Sequence, residues 1–202
     1  MHNSKNEVRF GKRANKYDKG FEGRFLNKFY NILIDFVQVT PKSRMLDVAC
    51  GTGEILKRMN DKFEIDGYGI DIDDKMIHVA KEKCPNMDIR TGSCDALPFE
   101  EKQFDNITVC MAYHHFENKI GFAKEACRVL KQGGSLYVAD LRLPKCLREA
   151  VNGIMKHLNV VGRFFTTEEI ATEFEKYGFK YNGCVKDGRV QIIRLTKNYC
   201  QE

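Results

Sequence analysis

The chain has 202 residues, 43% of them hydrophobic and 30% charged, the size and composition of one folded domain, which excludes a disordered protein. Lys and Arg exceed Asp and Glu by 33 to 28 for a net charge of +5, compatible with an acidic small substrate but too mild to demand a nucleic-acid partner. Four prolines and no single-residue tract exclude a long linker, and no apolar run approaches the roughly 18 residues of a transmembrane helix.

The elements follow in chain order. The first 20 residues are polar and basic, and MHNSKNEVRFGKR lacks the apolar core of a secretion signal, so a cytoplasmic protein is expected. Gly23 to Val37 carries Phe25, Phe29, Leu33 and Phe36 on one stripe with Leu26, Tyr30 and Val37 beside it, the spacing of an amphipathic helix. Thr40-Pro41 stops it. Apolar runs at Met45–Ala49, Tyr68–Ile72, Met87–Thr91, Asn106–Met111 and Ser135–Ala139 read as five strands. Between them, Glu54–Met59, a helix capped by Asp73 or Asp74 and running to Lys83 (Met76, Ile77 and Ala80 inward), and Lys119–Leu130 (Ala123, Ala126, Cys127 and Leu130 inward) read as helices, the last ended by Gly133-Gly134. Thr166-Thr167-Glu168-Glu169 is a capping box opening a helix to Tyr177, closed by Gly178. Phe179–Val185 and Arg189–Thr196 flank Asp187-Gly188, a hairpin signal. Alternating strands and helices predict an α/β fold with a doubly wound, mostly parallel sheet of seven strands that ends in an antiparallel hairpin. One domain is expected over 1–202: an arm and helix (1–40), a ligand-binding core (41–140), a cap (141–178) and the hairpin (179–202).

The eight cysteines, Cys50, Cys84, Cys94, Cys110, Cys127, Cys146, Cys184 and Cys200, form no CxxC pair. Neither zinc nor a disulfide framework is expected, and the thiols read as small buried hydrophobes.

The strongest chemical signal is Leu46-Asp47-Val48-Ala49-Cys50-Gly51-Thr52-Gly53, two glycines directly after a buried strand, where a ligand can approach the main chain. Asp71 ends the next strand, 20 residues after Gly51, where a carboxylate can accept hydrogen bonds from both ribose hydroxyls. Together they point to an adenosine-type ligand. A dinucleotide loop would read GxGxxG, but Leu56 stands at the third glycine, and Glu54 puts negative charge where a pyrophosphate would sit. An ammonium or sulfonium ligand suits Asp47 and Glu54 better. His114-His115 follows the fourth strand at the rim, a candidate base or acceptor-orienting pair, with Tyr113 weaker.

The motifs LDVACGTG, GIDIDDKMIHVAK, LPFEEKQFDNITVCMAYHHF and ACRVLKQGGSLYVAD, over residues 40–140, resemble in order those of class I S-adenosylmethionine-dependent methyltransferases. The similarity is nearest in character to the ubiquinone/menaquinone-biosynthesis methyltransferase-like (methyltransferase type 11) group, which also carries Tyr-Asp near its start, as Tyr17-Asp18 here. The resemblance implies a Rossmann-like fold and S-adenosyl-L-methionine as cofactor, S-adenosyl-L-homocysteine as product, and no metal. It implies that Asp47, Ala49 and the Cys50–Gly53 backbone, Thr52 included, lie along the methionine part, Asp71 on the ribose, Ile72 and Met76 on the adenine, and Cys110 near the amino-acid end, with Tyr17 closing over the site. Met76 and Cys110 read equally as core. Ser93 stands where the family's Asp binds the adenine amino group and Cys94 where Ala sits, with Asp95 as a substitute.

Ala-Tyr-His-His lacks the Asn/Asp-Pro-Pro-aromatic tetrapeptide of amino-group methylases, and no Pro-Cys pair resembles cytosine-C5 enzymes. The expected activity is therefore in-line methyl transfer to a small-molecule acceptor by a monomer or homodimer, without membrane insertion. Lys145–Phe165 and the N-terminal helix are the expected lid, and Phe21, Phe164 and Phe165 the expected apolar pocket. The other readings are an RNA or protein methyltransferase, a non-catalytic cofactor-binding protein suggested by Ser93-Cys94, and a nicotinamide dehydrogenase.

Overall fold

The computed structural model describes residues 20–198, apart from the side chains of residues 21, 22 and 24. The expected roles of Tyr17, the Phe21 side chain and Cys200 lie outside the described residues.

The elements run α1 (Gly20–Phe36), β1 (Arg44–Val48), α2 (Glu54–Phe63), β2 (Asp66–Asp71), α3 (Asp74–Lys83), β3 (Asp88–Thr91), β4 (Phe104–Cys110), a 3-10 turn (Tyr113–His115), α4 (Lys119–Val129), β5 (Leu130–Leu141), α5 (Lys145–His157), α6 (Thr167–Glu175), β6 (Phe179–Asp187) and β7 (Val190–Lys197). The seven strands form one sheet in the order β3-β2-β1-β4-β5-β7-β6. The first five are parallel to their neighbours, and β7 inserts antiparallel between β5 and β6. The fold is the expected Rossmann-like one.

Alternation along the central strands supplies two core layers. Leu46 and Val48 of β1, Ile107 and Val109 of β4, and Leu136 and Val138 of β5 face one layer, covered by Phe122, Ala126 and Val129 of α4 and Phe174 of α6. Met45, Tyr137 and Ala139 face the other, covered by Phe29 and Leu33 of α1, Leu56 and Met59 of α2, and Ala80 of α3. Helix α1 is thus a core layer, which corrects its reading as part of a lid. Its buried stripe is Leu26, Phe29, Tyr30 and Leu33, while Phe25 is exposed.

Three local expectations shift. Helix α2 runs one turn past Met59 to Phe63, because Met59 is buried and the helix is closed only by Glu64 in the left-handed region. Gly133-Gly134 does not end α4. The helix stops at Val129, and the glycines lie inside β5, in the irregularity between the Phe104–Leu130 and Asn106–Ser135 pairs. The hairpin turn is Gly188-Arg189, one residue later than expected, since Asp187 still pairs with Val190 and only Gly188 has positive φ. The cysteines divide: Cys50 and Cys84 are buried, Cys94, Cys110, Cys127 and Cys184 half-buried, Cys146 exposed, and all seven are free thiols.

Candidate functional site

The strand order reverses between β1 and β4, and an open α/β sheet binds ligands beyond the carboxyl ends of its strands at such a point. Asp47 and Thr108 are direct register partners across these two strands. Thr108 Oγ1 donates to Asp47 Oδ1 at 2.7 Å. Asp47 is buried, and its Oδ2 has no hydrogen-bond partner among the described residues. Burial pushes its pKa up to about 7; the Thr108 hydrogen bond pulls back and the nearby Asp71 charge adds to the rise.

Both strands leave the sheet through strained residues: Ala49 after β1 and Met111 after β4 have φ of 57° and 54°, a region that costs a non-glycine residue energy and clusters at functional sites. The two loop glycines then differ in purpose. A Cβ on Gly51 would meet nothing within 4 Å, so the turn faces open space. A Cβ on Gly53 would lie 3.2 Å from the Ala80 side chain, so this glycine serves the packing of α2 against α3. The amides of Cys50, Gly51 and Gly53 already donate within the protein, to the carbonyls of Ile70 and Cys50 and to Asp71 Oδ2. Those amides are therefore not offered to an anion. Thr52 is buried beside Lys83, whose ammonium donates to its hydroxyl at 3.2 Å.

Asp71 closes the turn from β2. Its Oδ2 accepts from Gly51 N at 2.8 Å and its Oδ1 from Asp73 N at 3.0 Å. Burial raises its pKa, partly offset by these amides. Asp73 in turn caps α3, as the sequence predicts. Beside it Ile72 is 52% exposed, a large apolar side chain at the mouth of the site, while Met76 is buried in the first turn of α3. Glu54 departs from expectation. Arg58 and Lys83 reach it at 2.7 and 2.8 Å. Burial alone would raise its carboxyl, but these hydrogen bonds and charges win and hold it below the usual range. Its charge is neutralised within the protein, which leaves Asp47 as the acidic group with an open valence.

The loop after β3 begins beside Asp71, whose carbonyl accepts from Gly92 N at 2.9 Å. The Ser93 hydroxyl donates to Asp95, and Asn118 Nδ2 donates to the other Asp95 oxygen at 2.8 Å. Ser93 and Asp95 are thus one hydrogen-bonded unit, and both bonds hold the Asp95 carboxyl low. Burial pushes the Cys94 thiol up to about 12 and keeps it protonated.

Beyond β4, His114 is buried and His115 half-buried. His114 Nδ1 lies 2.7 Å from Asp140 Oδ1, and its backbone N–H donates to Asp140 Oδ2 at 3.1 Å. A carboxylate accepts, so Nδ1 carries the proton and Nε2 is left as the basic nitrogen. Phe164 stacks on the His114 ring with centroids 4.7 Å apart, and the His115 ring is 3.9 Å away on centroids. Arg163 N donates to the His114 carbonyl, tying the 158–165 loop to this turn. Cys110 sits close by; burial and the Asp47 and Asp140 charges push its thiol well up, so it is no nucleophile. Asp140 went unnoticed in the sequence, although an acidic residue ending the apolar run SLYVA carries the same signature as Asp47. Among the described residues no group of three His, Cys, Asp or Glu could hold a metal ion.

Residues 46–138 match the family described as "Methyltransferase domain". The chain is 30% identical over 139 residues to a demethylmenaquinone methyltransferase of Chlorobaculum tepidum, covering 69% of this chain and 55% of that protein. It is 32% identical over 164 residues to the uncharacterized methyltransferase YcgJ of Bacillus subtilis, covering 76% and 61%. The chain spans a little over half the length of such curated relatives. Among solved structures, a Haloferax volcanii chain in complex with the Trm112 methyltransferase activator superposes with a TM-score of 0.83 at 17% identity, over 94% of this chain and 98% of that one. The YcgJ structure superposes at 0.72 and 19% identity, over 86% and 99%. These likenesses establish the fold.

Proposed function

Because residues 46–138 place the chain in the methyltransferase-domain family, we propose that it binds S-adenosylmethionine over the Gly51 turn and methylates a small-molecule acceptor. The observation that carries this reading is the unpartnered Asp47 Oδ2, buried below a turn with open space above it. A buried carboxylate oxygen without a donor is costly, and a ligand ammonium would relieve it. The turn is built for a cation rather than a pyrophosphate, since three of its amides are already engaged. Asp71 would take the ribose hydroxyls on its remaining lone pairs. Ile72 and Met76 would flank the adenine. The Ser93–Asp95 unit would accept from the adenine amino group, through the carboxylate rather than the serine that donates to it.

The cofactor supplies an electrophilic methyl group on sulfonium. The chain's own part is to hold the acceptor in line with that methyl and to remove a proton where the acceptor must lose one. His114 suits the proton removal. Asp140 orients the ring, holds the proton on Nδ1 and would stabilise the imidazolium formed when Nε2 takes the acceptor's proton. The acceptor we favour is a quinol-type ring, the class that the demethylmenaquinone methyltransferase relatives' names print, with Phe164 as a stacking face. Carbon methylation of such a ring needs a base. The whole of residues 1–202 would work as one unit in this reading, as a monomer or homodimer.

Calorimetric titration with S-adenosylhomocysteine, with NAD as control, tests the proposal. Micromolar binding of the thioether and none of NAD is expected. Preference for NAD, or no thioether binding, would overturn it.

A further inference from the structure

Helix α5 (Lys145–His157) has no buried residue. Of the nine large hydrophobic side chains exposed among the described residues, five fall between 147 and 161: Leu147, Ile154, Leu158, Val160 and Val161. Leu147, Ile154 and Leu158 are spaced seven and four apart, which brings them within about 40° of one another around the helix. They form one stripe along its flank, and Val160 and Val161 prolong it. Leu158 is 63% and Ile154 59% exposed. Scattered single exposures are ordinary, but a contiguous apolar stripe marks a contact surface.

The charge around the stripe indicates what the surface contacts. Arg142, Lys145, Arg148 and Lys156 border it, and Glu149 is the one acidic residue from 142 to 163. Lys145 and Lys156 project from the opposite flank of a helix about 10–12 Å across, close to a Debye length from anything the stripe touches. Protein interfaces deplete lysine around their apolar cores. An amphipathic helix with leucines on one side and lysines on the other is the pattern of a segment lying in an anionic lipid interface. We propose that α5 and residues 158–161 dock on the surface of an anionic bilayer.

The placement gives the contact a consequence. Asn152, on the side of α5 that faces the protein, brackets the backbone of Phe164 with two hydrogen bonds of 2.9 Å. Phe164 is the ring stacked on His114. A lipid surface under α5 would therefore lie one helix and one aromatic ring from the His114–Asp140 pair. The proposal does not depend on which reaction occurs there.

The test is co-sedimentation of the full chain with vesicles of phosphatidylcholine alone and of phosphatidylcholine with about 30% phosphatidylglycerol. Binding to the anionic vesicles only, weakening with salt, is expected. The variant Leu147→Gln/Ile154→Gln/Leu158→Gln should lower partitioning roughly 100-fold, and Lys145→Glu/Lys156→Glu at least about 10-fold. All five side chains are exposed, so both variants should melt with the wild type. No binding, equal binding to neutral vesicles, or binding that neither variant weakens would overturn the proposal. So would self-association in sedimentation equilibrium that the triple variant abolishes, since a second copy would then be the occupant.

Discussion

Asp47 and Thr108 face each other across β1 and β4, joined by a 2.7 Å hydrogen bond that satisfies one carboxylate oxygen and leaves the other without a donor. The arrangement stores a buried group at the point where the strand order reverses.

That group has a measurable cost in the ligand-free protein. Its folded pKa, about 7, lies above the ordinary value of 3.8. A raised carboxyl favours the folded state when protonated, so its contribution is full below the ordinary value and is lost as pH rises through 7. Asp47→Asn removes the charge and should melt roughly 2–4 °C above the wild type at pH 8, which about 1 kcal/mol is worth in a chain of this size. The difference should vanish near pH 4. Thermal melts across pH read both.

Gly51→Ala and Gly53→Ala should separate binding from folding. Both put a Cβ at positive φ, a strain of about 1 kcal/mol. At Gly51 the new methyl meets open space, so the melt should change little more than that while S-adenosylhomocysteine affinity falls at least about 10-fold. At Gly53 it presses on Ala80 and should lower the melt by more. Equal melts with equal affinities would remove the distinction.

Asp71→Asn keeps the size of the side chain and loses the charge that Gly51 and Asp73 amides bond. Hydrogen bonds to charged groups are worth about 1.5–3 kcal/mol. Calorimetry should show S-adenosylhomocysteine affinity down roughly 10- to 150-fold, with a folded chain by circular dichroism.

These predictions differ in how far the sequence alone reaches them. Asp47, Asp71 and His114 stand at the ends of apolar runs, and a strand end is readable from one dimension. Asp140 ends such a run too, but its meaning depends on β5 lying beside β4, which only the sheet order shows. Glu54 reads as an open charge because its partner Lys83 comes from another helix, 29 residues on. Gly133-Gly134 reads as a helix stop because glycine is commonest there, yet the pair opens an irregularity in a strand.

His114→Gln should lower kcat on any accepted quinol-type acceptor by about 10²–10⁴-fold while leaving S-adenosylhomocysteine affinity intact. Asp140→Asn acts through His114, since it no longer holds the proton on Nδ1. It should lower kcat without raising KM in proportion and should shift the acid limb of the pH–rate profile, a change that loss of packing alone would not produce.

The most direct measurement is the proton balance of S-adenosylhomocysteine binding at pH 7, from calorimetry in two buffers of different ionisation enthalpy. Asp47 is half protonated there when its pKa is about 7, and a ligand ammonium beside it drives the proton off. The wild type should release roughly half a proton per ligand, and Asp47→Asn none. Release that is absent in the wild type, or unchanged in Asp47→Asn, would contradict the placement of the ligand's amino group on Asp47.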